Sequence, residues 1–284
     1  MSFPNDEALS YIKNVKTINV SNESSAVGWE DSSPVSEQAP VVRLTAEDKH
    51  NLLLEICNKS LNETPQLLTK ELIDNALRHL YVSKINTYKK KTVSISNLVG
   101  CIKNVYYLFQ GEKQLFKPEM YPYSTCVTSI GNTIHEILQT CGIKYKKVED
   151  SLEVHLHGFK VTGRCDAILN DNVVCEFKSI EALPDQPKPE HLKQLLIYIH
   201  LLNTYVAGKY KIGQLIYFSR GKANVKIFDI EYTQAMDEMV SRFLNGFLIA
   251  FDDYLKTGNV PTKYVVKTAC DFCGYYHLCH KSRS

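Results

Sequence analysis

The chain has 284 residues, 44% of them hydrophobic, and a formal net charge of only +2. That length suits one large domain or a domain with extensions. The charge excludes a polycation that holds nucleic acid by bulk charge alone, and no apolar run approaches the roughly 20 residues that a membrane-spanning helix needs.

Residues 1–43 are polar and rich in Ser, Asn and Glu, and they read as a disordered or loosely attached tail that carries the single tryptophan, Trp29. Residues 44–92 read as a helical extension. Thr45-Ala-Glu-Asp48 has the pattern of a helix cap before Leu52-Leu-Leu-Glu-Ile56, and a second amphipathic helix runs from Leu68 to about Tyr88. Around Gly131-Asn-Thr-Ile-His135 the apolar residues recur with helical period, which predicts a buried stripe of Ile130, Ile134, Ile137 and Leu138.

The next stretch alternates as strands do. Leu152 to Leu156, Lys160 to Leu169 and Val173 to Ser179 are separated by Gly158 and by Asn170-Asp171-Asn172. Asn and Asp side chains bond their own backbone and tolerate positive φ, so this cluster is a turn signal. A helix follows from Glu190 to Tyr205. Strands at Ile212 to Ser219 and Val225 to Tyr232 meet at Arg220-Gly221, and a long helix from about Thr233 to Lys256 stops at Gly258 and Pro261. There is no internal repeat, no phosphate-binding Walker loop and no Gly-rich dinucleotide fingerprint, so helicase chemistry is excluded.

Within this frame certain charged residues stand out. Side chains along a strand alternate faces, so Glu176 and Lys178 point one way while Cys175 and Phe177 point the other. Asp166 lies on the preceding strand and is placed beside Glu176. Two carboxylates that close repel, and one stays protonated at neutral pH unless a cation sits between them. Charge inside an apolar strand is costly without a partner. Gln194 and Tyr198, four apart on one helix, share a face.

The nine cysteines are an odd count, and the opening Met-Ser-Phe-Pro-Asn-Asp-Glu has no leader character. Both observations argue against a disulfide framework and predict an intracellular, reducing compartment, cytoplasm or nucleus. Cys57, Cys126, Cys141, Cys165 and Cys175 sit in apolar patterns and read as buried small hydrophobes. Cys270-Asp-Phe-Cys273 and Cys279 cluster in an aromatic tail. Their spacing suits zinc, with His277 or His280 as a fourth ligand, and equally a 4Fe-4S cluster with Cys101 as the fourth thiolate.

His135, Gly163-x-x-Asp166, Glu176-x-Lys178 and Gln194-x-x-x-Tyr198 come in an order that resembles the RecB-like branch of the PD-(D/E)XK nucleases. With Cys101 ahead and Cys-x2-Cys-x5-Cys behind, residues 93–281 resemble its iron-sulfur exonucleases. That group holds the CRISPR-adaptation exonuclease, its viral relatives and a eukaryotic single-strand exonuclease. The resemblance implies an α/β restriction-endonuclease-like core over 93–284, a mixed central sheet flanked by helices, with the helical extension before it and the Cys cluster at its end. It implies Mg²⁺ or Mn²⁺ held by His135, Asp166, Glu176 and the Phe177 carbonyl. Lys178 would orient and deprotonate the attacking water, and Gln194 and Tyr198 would position the substrate strand and support the site. It implies a 4Fe-4S cluster on Cys101, Cys270, Cys273 and Cys279, with zinc as the alternative occupant. The implied substrate is DNA, single-stranded at its ends and cut 5′ to 3′. Recombination, repair or CRISPR-adaptation proteins are the implied partners, with no membrane. The alternative reading is a non-catalytic DNA-end-binding or interaction subunit of a CRISPR, recombination or repair complex. Lys89 to Lys91, Lys144, Lys146 and Lys147 are candidate backbone contacts. Tyr106, Tyr107, Phe109, Phe116, Tyr121 and Tyr123 are candidate stacking platforms, although most read as core.

Overall fold

A computed structural model of the chain describes residues 14–18, 70–82, 92–115, 120–206, 208–222, 224–266, 270 and 273–279. The expected cap at 45–48, Trp29, Cys57 and the lysine run 89–91 lie outside these residues.

The elements in chain order are β1 (Asn14–Ile18), α1 (Lys70–Val82), β2 (Thr92–Ser94), α2 (Ile95–Val99), α3 (Ile102–Gln110), α4 (Met120–Thr140), β3 (Lys147–Leu156), β4 (Phe159–Asn170), β5 (Val173–Ile180), α5 (Pro189–Tyr205), β6 (Ile212–Ser219), β7 (Val225–Glu231), α6 (Gln234–Thr257) and α7 (Tyr276–Cys279). Among the described residues seven strands make one sheet in the order β1-β7-β6-β5-β4-β2, with β3 also paired to β4. The β6–β5 and β4–β2 pairs are parallel and the rest antiparallel. This is the mixed, helix-flanked α/β fold that the sequence predicts. The strand β1 is a difference, because residues 14–18 lie within the expected loose tail. Five backbone pairs join them to β7, from Asn14↔Asp229 to Ile18↔Val225.

Strand alternation divides the core. Val174 and Ile180 of β5 face the larger core, built with Leu195, Ile199, Tyr217, Phe228, Phe247 and Phe251. Cys175 and Phe177 face a smaller cluster with Ala167 and Ile216, against which Leu138 and Tyr145 pack. The helices α5 and α6 serve the first face, and α5 alone buries nine residues from Leu192 to Leu202. Its first helical position is Pro189, whose fixed φ suits a helix start. Helix α6 begins at Thr233, whose side chain accepts from Met236 N–H, and ends at Gly258 in the left-handed conformation.

Helix α4 departs from its expected stripe. Ile134 is buried, but Ile130 and Ile137 are 45% and 55% exposed. Helical period identifies an apolar face, yet only the angle at which a helix meets its sheet decides how much of that face is covered. Cys126 and Cys141 are likewise exposed rather than buried, whereas Cys165 and Cys175 are buried as expected. Tyr106, Tyr107 and Phe109 are core residues, so they are not stacking platforms. The side chains of 116, 121 and 123 lie outside the description.

Candidate active site

The site forms where β4 loses its neighbours. Along one edge, β2 pairs with Lys160 to Thr162, and β5 pairs from Ala167 onward. Among the described residues, 163–166 between them have no strand partner on that edge, so their backbone groups need another one. Tyr198 supplies it. Its hydroxyl accepts from Arg164 N–H at 3.1 Å and donates to Arg164 C=O at 2.8 Å. Tyr198 is 4% exposed, and its burial pushes the phenol upward and keeps it neutral. Its hydroxyl thereby serves the backbone of β4.

Gly163 makes that approach possible. A Cβ there would lie 2.4 Å from Ile95 Cδ1 and 2.9 Å from Tyr198 Cε1.

Asp166 closes the gap from the other end. Its Oδ2 accepts from Phe177 N–H at 2.7 Å, in place of a ladder bond. The N–H and C=O of one strand residue leave by the same edge, so the Phe177 carbonyl also faces this gap. Asp166 Oδ1 lies 3.4 Å from His135 Nδ1. Burial alone would lower the His135 pKa. The bond to Asp166 and its charge outweigh that, and the net direction is upward.

Glu176 is 1% exposed. Its Oε1 accepts from Lys178 Nζ at 2.5 Å, and Lys178 also donates to Gln194 Oε1 at 3.2 Å. Glu176 Oε2 is buried and, among the described residues, has no hydrogen-bond partner. Desolvation pushes the Glu176 carboxyl up to about 7, against the pull of Lys178 and with the help of Asp166. A buried carboxylate oxygen without a donor is expensive, and a cation would both satisfy it and draw the pKa back down.

Thus His135, Asp166, Glu176, Lys178, Gln194 and Tyr198 are linked within one region by contacts across α4, β4, β5 and α5. Among the described residues no three His, Cys, Asp or Glu side chains are gathered tightly enough to hold a metal ion as they stand. The donor types nonetheless fit a hard divalent cation: an imidazole and two carboxylates, one of which has an unpartnered buried oxygen. A cleft of about 620 Å³ is lined by His135, Asp166, Gln194 and Tyr198, and by Ser94, Asn132, Glu136, Glu149 and Arg164 among others.

Sequence reasoning missed Gln139 and Glu149, which stand beside Asp166. Glu149 has φ of 52°, a left-handed conformation that costs a residue with a Cβ on the order of 1–2 kcal/mol. The helical spacing of Gln139 four residues after His135 was the only signal for either. Of the candidate basic patch, Lys146 pairs with Asp171 and Lys147 with Asp150, as residues of an ordinary solvated face do.

The cysteines of the tail come back to α3. Leu115 N–H donates to Gly274 C=O at 2.7 Å, Asn104 Nδ2 lies 3.6 Å from Cys273 Sγ, and the rings of Tyr107 and Tyr275 are 5.6 Å apart. Burial raises the Cys279 thiol pKa, Lys103 opposes that, and Cys273 and Cys101 raise it further.

Residues 131–230 match the family profile of the PD-(D/E)XK nuclease superfamily. The matched span contains every residue of the site from His135 to Tyr198. No curated protein matches the sequence. Among solved structures, SSO0001 is 20% identical with a TM-score of 0.49, over 76% of this chain and 98% of that one. LHK-Exo in complex with dAMP is 14% identical with a TM-score of 0.38, over 67% of this chain and 97% of that one. The alkaline exonuclease LHK-Exo from Laribacter hongkongensis is 14% identical with a TM-score of 0.34, over 63% and 95%. Among the described residues no helix is long and apolar enough to cross a membrane.

Proposed function

We propose that the chain is a metal-dependent deoxyribonuclease that shortens single-stranded DNA from an end, 5′ to 3′. The observation that carries this reading is Glu176, a buried carboxylate with one oxygen unpartnered, set beside Asp166 and Lys178 within the span that matches the nuclease superfamily. His135, Asp166, Glu176 and the Phe177 carbonyl would hold Mg²⁺ or Mn²⁺, which supplies the positive charge that activates water and offsets charge developing on the phosphoryl group. Lys178 orients the attacking water and manages its proton, with Gln194 fixing the ammonium. Tyr198 acts by holding β4 in place.

The test uses end-labelled linear single-stranded DNA with Mn²⁺, with and without EDTA. Stepwise shortening that requires the metal is expected, and the surviving label reports polarity. Binding without cleavage would replace this reading with that of a DNA-end-binding subunit.

We further propose a 4Fe-4S cluster on Cys101, Cys270, Cys273 and Cys279. Support comes from the tail's return to α3, where Asn104 donates to the Cys101 carbonyl through its backbone and approaches Cys273 Sγ with its side chain, and from the resemblance of their spacing. Protein purified without oxygen is expected to be brown and to contain iron. Cys273→Ala is expected to bleach it and to lower the melting temperature. A colourless native protein containing zinc would assign the thiolates to that metal instead.

A further inference from the structure

We propose that Gln139 and Glu149 are positioning residues that set Asp166 for its metal. The proposal rests on the reading of Asp166 as a ligand. Between Lys147 and Leu156 the ladder of β3 on β4 misses one pair, Glu149 opposite Asp166. The missing pair coincides with the φ of 52° at Glu149. Gln139 Nε2 donates to the Asp166 carbonyl at 3.1 Å and to Glu149 Oε1 at 2.9 Å. The other Glu149 oxygen pairs with Arg164.

These contacts form one brace. Gln139 stands one helical turn after His135, so a single face of α4 reaches Asp166 twice. His135 meets its carboxylate and Gln139 meets its carbonyl. Glu149 takes an unfavourable backbone conformation, and its carboxylate orients the Gln139 amide while Arg164 balances its charge. Asp166 is thereby fixed at both its carbonyl and its carboxylate. Groups behind a metal ligand that hold its orientation commonly change metal affinity by about 10- to 100-fold when removed. Neither Gln139 nor Glu149 needs to touch the ion to have this effect.

The test is isothermal titration of Mn²⁺ into the purified full chain, without DNA, beside thermal unfolding of the metal-free protein. The variants are Gln139→Leu, Glu149→Gly and Asp166→Ala. Gln139→Leu is expected to weaken Mn²⁺ binding by about 10-fold or more. Glu149→Gly separates positioning from structure, because glycine accepts a positive φ without strain. It is expected to keep or raise the melting temperature and still weaken Mn²⁺ binding. Unchanged Mn²⁺ affinity in Glu149→Gly and Gln139→Leu, while Asp166→Ala loses binding, overturns the brace and leaves the metal site standing. Binding that survives Asp166→Ala overturns both.

Discussion

Lys178→Ala is expected to slow single-turnover DNA cleavage by about 10³-fold, the range in which a positioned proton-transfer group contributes. The chain is expected to stay folded and to bind DNA in Ca²⁺ with unchanged affinity. Lys178 touches two groups, Glu176 Oε1 and Gln194 Oε1. Its removal leaves Glu176 buried without a cation, a loss that commonly costs several kcal/mol when the charge must remain. Here it need not remain, because desolvation already pushes that carboxyl up to about 7, and the metal-free variant can take up a proton. Asp166→Asn makes a companion that keeps an acceptor for Phe177 N–H, so its backbone contact survives while its charge does not. It too should lose cleavage. In the native chain, Mn²⁺ at 100 times its dissociation constant should stabilise the fold by about 2.7 kcal/mol, and in Asp166→Asn most of that gain should vanish. Wild-type cleavage by either variant would remove these residues from the site.

Gly163→Ala is expected to destabilise the fold by about 2–3 kcal/mol, the usual cost of forcing atoms into a packed core. For a domain of this size that is a fall of roughly 5–10 °C in melting temperature. The added Cβ would meet Ile95 Cδ1 at 2.4 Å and Tyr198 Cε1 at 2.9 Å. Ile95 is fully buried and Tyr198 is 4% exposed, so neither has free space to move into. Displacing Tyr198 would also pull its hydroxyl from the Arg164 backbone, two residues before Asp166. Cleavage should therefore fall along with stability. Ile95→Val removes the Cδ1 atom that the new methyl strikes. It should cost about 0.5–1.5 kcal/mol alone yet recover part of the loss in the double variant, a positive coupling that residues in contact can show. A Gly163→Ala protein within about 0.5 kcal/mol of the native chain would mean that the contact relaxes freely.

Much of the site was legible in the sequence because strand and helix periods are local. A period of two put Glu176 and Lys178 on one face and Cys175 and Phe177 on the other, and the two hydrophobic cores keep that division. A spacing of four put Gln194 and Tyr198 on one face of α5. Turn chemistry at Asn170-Asp171-Asn172 separated β4 from β5, and so brought Asp166 near Glu176.

Other features depend on which element arrives beside which, and no local period encodes that. The gap along β4 exists because β2, from far upstream, and β5, from downstream, take different lengths of one edge. Only that gap turns Tyr198 from a candidate substrate contact into a partner for Arg164. Only the packing of α4 in the folded chain leaves Ile130 and Ile137 exposed while bringing Gln139 onto Asp166. Glu149 reads as an ordinary strand residue until its φ is known. The sequence by itself determined the charged set and the faces it occupies, because side-chain direction follows from backbone period. The tertiary structure alone decided which of those side chains reach a common point and which backbone groups they must satisfy, because hydrogen bonds and steric limits between distant segments exist only once those segments meet.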